Sequence, residues 1–243
     1  MVYYLYYLLL VGYRYVKSIN ISLNTCNVIG LVSKFASCYN LTSVSNFNTS
    51  NVRRMYETFR SCYNLVSVPN FDTSNVTDMS GMFHWCYNIT SVPNFNTSNV
   101  ADMSVMFDNC TKLTNVPNFN TSNVTAMHSM FSSCKNLISI PTLDTSNVTD
   151  IQWIFAMCSN LVDIPQLNAS NVCNIESLAR ACNNLSNASI QNIINMCLNS
   201  NITNSILMNL NNANQYSPLY LTKFNNTYYQ NRWSELTAAG WVY

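Results

Sequence analysis

Residues 71–94, FDTSNVTDMSGMFHWCYNITSVPN, decide how the rest of the chain reads. The next 24 residues open FNTSNVADMSVMFDNC, run to Asn118, and replace each apolar residue with itself or a close relative. Stepping by 24 in both directions gives a cysteine column at Cys38, Cys62, Cys86, Cys110, Cys134, Cys158 and Cys182, with no insertion between copies. Phenylalanine (Phe35 to Phe155), asparagine (Asn27 to Asn171) and valine (Val28 to Val172) columns keep the same step. A fixed period of this size marks a stacked array in which each unit contacts only its neighbours. The expected fold is an α/β solenoid of seven 24-residue coils, one elongated body despite a length that would suit one or two globular domains.

Each coil divides into three pieces. Thr73-Ser74-Asn75-Val76 is a turn whose hydroxyls and amides can bond nearby backbone, and an Asn repeated at one position predicts a ladder of side-chain amides between coils. Met79, Met82, Phe83 and Cys86 fall at i, i+3, i+4 and i+7, which predicts a short helix with one buried face, with Thr77 or Asp78 as its N-cap. Ile89 and Val92 lead to Pro93, and the recurrence of Pro at 69, 117, 141 and 165 predicts parallel strands of three or four residues, each ended by a residue that cannot donate to a ladder. A single coil cannot bury enough apolar surface to offset the entropy of ordering it, so stacking is what stabilises the fold.

Both ends depart from the pattern. Residues 1–22 open MVYYLYYLLLVGYRYVK, too short an apolar run to span a membrane and lacking the flanks of a secretory signal, and are expected to cover the first coil, with a degenerate signal or anchor as the alternative. Residues 23–188 hold the array. From Ser189 onward, Ile190, Ile193, Ile194 and Cys197 make a longer helical face, and Tyr229, Trp233 and Leu236 another before Gly240, so residues 189–243 are expected to form a helical C-terminal cap.

Charged residues are 9% of the chain and the net charge is +1, without the clustered Lys and Arg that nucleic acid or an anionic membrane surface would require. The expected molecule is a monomer with no integral membrane span and no nucleic-acid partner. The ten cysteines do not read as a disulfide framework: same-column side chains run parallel, an odd column cannot pair completely, and its neighbours are Phe, Met and Leu. They are expected to be buried thiols, with Cys26, Cys173 and Cys197 outside the column and unassigned.

Nothing in the pattern supports catalysis. His84 and His128 occupy different positions in their coils, and a nucleophilic cysteine would need an electropositive pocket that this apolar column does not offer. No Cys pair has zinc-finger spacing, and the column Asp78, Asp102, Asp150 skips Ala126, which favours helix capping over calcium. No cofactor, metal or enzymatic activity is expected. Asn-Xaa-Thr sequons such as Asn75-Val76-Thr77 follow from the repeat itself and would carry glycan only in a eukaryotic host.

The motif NTSNVTDMSxMFxxCxxLTSVP over residues 23–186 resembles the BspA-type leucine-rich repeats, also described as DUF285 or mycoplasma-type surface repeats. That resemblance implies a right-handed leucine-rich-repeat-like solenoid, display at the cell surface or secretion, and adhesion to host proteins or other cells. It offers no catalytic residues. The missing signal leaves a cytoplasmic or virion-associated location as the alternative.

One outward feature stands apart from the Asn, Ser and Thr surface. Tyr39, Tyr63 and Tyr87 follow the cysteine in three consecutive coils before the column changes to Thr111, Lys135, Ser159 and Asn183, and His84 and Trp85 adjoin the third ring. Aromatic residues are enriched at protein interfaces, which makes these five residues the candidate partner-binding patch. The alternative is rings that stack on one another to seal a corner of the coil. The expected function is a noncatalytic binding or adhesion module that presents an elongated surface to a protein or glycan. The alternative function is a structural or scaffold component that uses the array as a docking rod.

Overall fold

The computed structural model describes residues 17–19 and 28–198. Cys26, Pro218 and the expected helical face at Tyr229, Trp233 and Leu236 lie outside the described residues, as do most of residues 1–22 and 199–243. Within them the chain is a stack of coils. Single-residue parallel bridges join Gly30, Arg54, Asp78, Asp102, Ala126, Asp150 and Asn174, each to the equivalent residue one coil away.

The expected helix does not form, and this is the main correction to the sequence reading. Gly81 has φ of 60° and Trp85 of 62°, and every described coil repeats both left-handed positions, at 33, 57, 81, 105, 129, 153 and 177 and at 37, 61, 85, 109, 133, 157 and 181. Two left-handed residues four apart break any α-helix. What replaces it is a run of overlapping β-turns, with Met82 N–H donating to Met79 O (3.2 Å), His84 to Gly81 O (3.0 Å) and Cys86 to Phe83 O (2.9 Å). The left-handed residue is the third of four in the first and last of these turns, the type II arrangement.

The intervening amides point out of the coil. Met79, Gly81, Phe83 and Trp85 N–H donate to the carbonyls of Asp102, Ser104, Met106 and Asp108 in the next coil, at 2.9–3.0 Å. A helix would have kept every amide within its own coil; the turn ribbon uses alternate ones to bind its neighbour. The spacing i, i+3, i+4, i+7 still puts Met79, Met82, Phe83 and Cys86 inside, each fully buried. The Asp column caps turns instead of helices: Asp78 Oδ1 accepts from Ser80 N–H (2.9 Å), Asp102 Oδ1 from Ser104 N–H (2.8 Å) and Asp150 Oδ1 from Gln152 N–H (2.9 Å).

Strands are also shorter than expected. β1 (Ser18–Ile19) and β2 (Ser43–Val44) pair in parallel, and a further bridge joins Ser139 to Asp163. In the middle coils this side is held by long contacts from Thr90 to Val66 O (3.4 Å), Thr114 to Thr90 O (3.4 Å) and Ile138 to Thr114 O (3.5 Å).

The core is a set of columns running through the stack. Phe35, Phe59, Phe83, Phe107, Phe131 and Phe155 stack with centroids 5.3–6.0 Å apart and planes within 10° of parallel. All nine described cysteines are free thiols. The column thiols donate to a carbonyl one coil back, Cys86 Sγ to Phe59 O (3.1 Å) and Cys110 Sγ to Phe83 O (3.2 Å) among them. This gives Cys a role that Ala could not fill. Burial raises the thiol of Cys86 well above its ordinary range and pushes that of Cys182 up to about 12. Cys173 is exposed and Cys197 buried.

Two polar ladders seal the loop side. The buried hydroxyls of Thr49, Thr73, Thr97, Thr121 and Thr145 donate to a carbonyl of the next coil at 2.7–3.0 Å. The expected amide ladder is present: Asn75, Asn99, Asn123, Asn147 and Asn171 Nδ2 donate to Ser50, Ser74, Ser98, Ser122 and Ser146 O at 2.6–2.7 Å. The threonine hydroxyls satisfy partly buried carbonyls, and the exposed asparagine amides bind the loop carbonyl of one coil to the next.

After the last coil comes helix α1 (Asn187–Leu198). Ser186 Oγ accepts the Ser189 N–H (3.2 Å), which makes Ser186 its N-cap. Ser189 Oγ donates to Val162 O and accepts from Ile164 N–H, both at 2.8 Å, while Asn192 Nδ2 donates to Ile164 O (2.9 Å). The helix thus satisfies the backbone edge of the preceding coil and buries Ile190, Ile193, Ile194 and Cys197.

Candidate functional site

The turn ribbon has an inner side packed with Met, Phe and Cys and an outer side outside that core. Most outer positions are small, as left-handed backbone favours. Trp85 is an exception: its column otherwise holds Ser37, Ser61, Asn109, Ser133, Met157 and Ala181. The slot demands φ of 62°, which the turn Phe83–Cys86 and the bond from Trp85 N–H to Asp108 O (2.9 Å) fix in place.

Polar and charged groups from three coils surround this indole. The Arg60 guanidinium lies 5.3 Å from the ring centroid and Arg60 pairs with Glu57 at 3.3 Å. The His84 ring lies 4.4 Å from Trp85, and His84 Nε2 is 3.0 Å from Asp108 Oδ2 in the next coil. Glu57 also accepts the Tyr56 hydroxyl, which raises that phenol. The local result is an aromatic ridge in which Arg60 is paired with Glu57 and His84 is joined to Asp108.

The three tyrosines come together as a stack. Tyr39 and Tyr63 are 4.8 Å apart at 18°, and Tyr63 and Tyr87 are 5.0 Å apart at 23°. Their faces are therefore turned to one another and their edges and hydroxyls to the outside, with Tyr87 38% exposed. Partial burial raises the Tyr87 phenol, and the neighbouring Tyr63 and Asp108 add to the shift. All five residues expected from the sequence lie on the outer side of the first three coils. Sequence reading missed Arg60, Glu57 and Asp108, which surround Trp85 from the coils on either side. It also missed a second cluster, where the Arg180 guanidinium lies 5.8 Å from the Trp153 ring and Met157 is 40% exposed. Aligning the outward columns at the 24-residue step, as was done for the inward ones, would have shown both.

Among the described residues no group of three or more His, Cys, Asp or Glu side chains could hold a metal ion, and no helix is long and apolar enough to cross a membrane.

This architecture defines a leucine-rich-repeat-like solenoid. The crystal structure of a T. pallidum leucine-rich repeat protein has the same fold, with a TM-score of 0.60 at 18% identity over 74% of this chain and 83% of that one. The family model described as "Mycoplasma protein of unknown function, DUF285" matches residues 29–139, 86–193 and 113–216, and the chain belongs to that family. No curated protein matches the chain.

Proposed function

We propose that the protein is a noncatalytic binding module whose outer turn ridge, at Tyr39, Tyr63, Tyr87, His84 and Trp85, holds a protein partner. The reading takes the array as seven right-handed coils over residues 23–188, closed by terminal covers at 1–22 and 189–243, and places it at the cell surface or outside the cell. The observation that carries it is Trp85. A large aromatic in a left-handed slot costs backbone strain, contributes little to a core it does not enter, and stands in a column mostly of Ser, Asn and Ala. Strain without a folding return is the mark of a residue kept for contact with something else, and Trp, Tyr and Arg are the side chains that dominate protein interfaces.

The ring geometry favours protein over glycan. A sugar packs on a free aromatic face, whereas both faces of Tyr63 and one face each of Tyr39 and Tyr87 are occupied within the stack, at 4.8 and 5.0 Å. What they present is a row of hydroxyls and ring edges, suited to polar backbone and side chains of a polypeptide.

The test is a panel of extracellular proteins and a glycan array, each probed with the wild type and with Trp85→Ser, which installs the residue the same slot holds at Ser61 and Ser133. Binding to proteins that Trp85→Ser removes is the expected result. Binding to glycans alone, or protein binding that survives the substitution, contradicts the proposal. A melting curve of Tyr39→Ser/Tyr63→Ser/Tyr87→Ser completes it: with two stacked pairs lost at about 0.5–1.5 kcal/mol each, a fall in Tm is expected. An unmoved curve would leave contact with a partner as the sole role of the rings.

A further inference from the structure

The net charge of +1 conceals a division along the array. Through residue 64 the chain holds six basic residues, Arg14, Lys17, Lys34, Arg53, Arg54 and Arg60, against Glu57 alone; from residue 65 onward five basic residues meet nine acidic ones. No basic run marks this in the sequence, and the coil step is what gathers the cations. Arg53 N–H donates to Ile29 O (3.0 Å) and Arg54 forms a parallel bridge with Gly30, which sets the two arginines beside Ile29 on the outer side of the first two coils. Val32 shares an outward column with Tyr56 three and two residues further on. Ile29 is 70% and Val32 43% exposed, and Arg53, Arg54 and Tyr56 are exposed with them. Arg60 is engaged by Glu57 and Trp85. Among the described residues neither Arg53 nor Arg54 has an ion-pair partner, and Asp78, which follows Arg54 in its column, accepts from Ser80 instead.

From this we infer that the first two coils dock on an anionic lipid bilayer through Arg53, Arg54, Ile29 and Val32, and that the array stands away from the membrane on this end. Unpaired guanidiniums beside exposed branched apolar side chains match the layered chemistry of a lipid surface, phosphate above hydrocarbon. A nucleic acid would use the arginines and leave Ile29 and Val32 in water. The cover proposed for the same end is rich in Tyr, Leu and Val and includes Arg14 and Lys17, the composition of a segment at the lipid–water interface. The orientation follows from the columns. That of Arg54 continues as Asp78, Asp102, Ala126 and Asp150, and that of Arg53 as Thr77, Ala101, Thr125 and Thr149, so the same outer side turns from basic to acidic beyond the second coil. A bilayer laid along the array would meet those carboxylates, whereas one at its first end meets Arg53 and Arg54. Screening at physiological salt confines the attraction to about 8 Å, the depth of roughly two coils at about 4.8 Å each.

This contact goes beyond the proposed function and does not rest on it; its test leaves the aromatic ridge unaltered. The experiment is co-sedimentation of the full chain with vesicles of phosphatidylcholine alone and of phosphatidylcholine with about 30% phosphatidylglycerol, at rising salt. The proteins are the wild type, Arg53→Thr/Arg54→Asn, Ile29→Thr/Val32→Ser, and Lys112→Asn/Lys135→Ser as a pair that removes the same charge from the middle of the array. Each substitution installs a residue that the same column holds in another coil, as at Thr77, Asn174, Ser80, Asn136 and Ser159, and circular dichroism verifies the fold. The wild type is expected to bind the anionic vesicles alone and to release them as salt rises. Arg53→Thr/Arg54→Asn should weaken binding by roughly ten-fold or more. Ile29→Thr/Val32→Ser should weaken it several-fold without changing its salt dependence, and the mid-array pair should leave it unchanged. No binding to anionic vesicles, equal binding to neutral ones, or an arginine pair no weaker than the mid-array pair overturns the docking. So does Ile29→Thr/Val32→Ser binding as the wild type does, since the contact would then lack its apolar part. A duplex DNA probe bound where vesicles are not would assign the surface to nucleic acid instead.

Discussion

The two long sides of each coil are held in different ways. On the turn side, four amides per coil, such as those of Met79, Gly81, Phe83 and Trp85, donate to the next coil at 2.9–3.0 Å, and behind them a thiol and a phenylalanine ring add further contacts across the same boundary. On the strand side the middle coils share contacts of 3.4–3.5 Å at Thr90, Thr114 and Ile138, and bonds of 2.8–2.9 Å occur only toward the two ends, at Thr42, Val162 and Ser186. The turn ribbon therefore sets the register of the array, and the strand side follows it. A parallel array does not need a β-sheet to hold its copies together when irregular backbone can direct alternate amides between coils.

The largest expected effect tests this contrast in the core. Phe107 packs between Phe83 and Phe131 at 5.7 and 5.8 Å behind the turn ribbon. Phe107→Ala should cost about 3–5 kcal/mol. Val116 is buried on the strand side of the same coil, and Val116→Ala should cost about 1.5 kcal/mol. Denaturant melts that give equal losses at the two positions would break the comparison.

Alkali should act on the turn side too. The column thiols from Cys62 to Cys182 are raised by burial, Cys182 to about 12. An acid whose folded pKa lies above its unfolded value favours folding below the unfolded value, and that contribution is lost as pH rises toward the folded one. Stability should hold up to about pH 8.5, the ordinary cysteine range, and fall steadily above it. Melts of the wild type and Cys110→Ala across this window check the attribution, since the variant's slope should be shallower.

The smallest effect is a gain. Val105 is β-branched at φ of 51°, in the slot that Gly81 fills without strain. Val105→Gly should stabilise by up to about 1 kcal/mol, the relief of a left-handed side chain less the entropy of glycine. A loss would show that Val105 makes outward contacts that matter more than its backbone strain.

These contrasts also explain what could be read in the sequence. The core was legible because the spacing of Met79, Met82, Phe83 and Cys86 points inward from a turn ribbon as it does from a helix; the periodicity reports which residues share a side, not which backbone carries them. The signals against a helix were Gly81 and the Ser and Asn that dominate the column of Trp85, and Val105, Trp85 and Trp153 in the same left-handed positions obscured them. The Asn ladder was legible because a turn carbonyl repeated in every coil needs one donor per coil. The strands came out short because Thr90 and Thr114 face outward and leave little apolar surface to hold them flat. On the ridge, the tyrosine stack followed from one column, whereas the surroundings of Trp85 combine Arg60, His84 and Asp108 from three successive coils and become visible only when those coils are set side by side.

Residue-resolved amide exchange tests the central claim most directly, because it reads the strength of each side without substitution. If the turn ribbon holds the register, the amides of Phe83, Phe107 and Phe131 exchange slowest of all, and those of Thr90, Thr114 and Ile138 in the same coils exchange well before them. Equal protection on the two sides, or slower exchange at Thr90, Thr114 and Ile138, would contradict it.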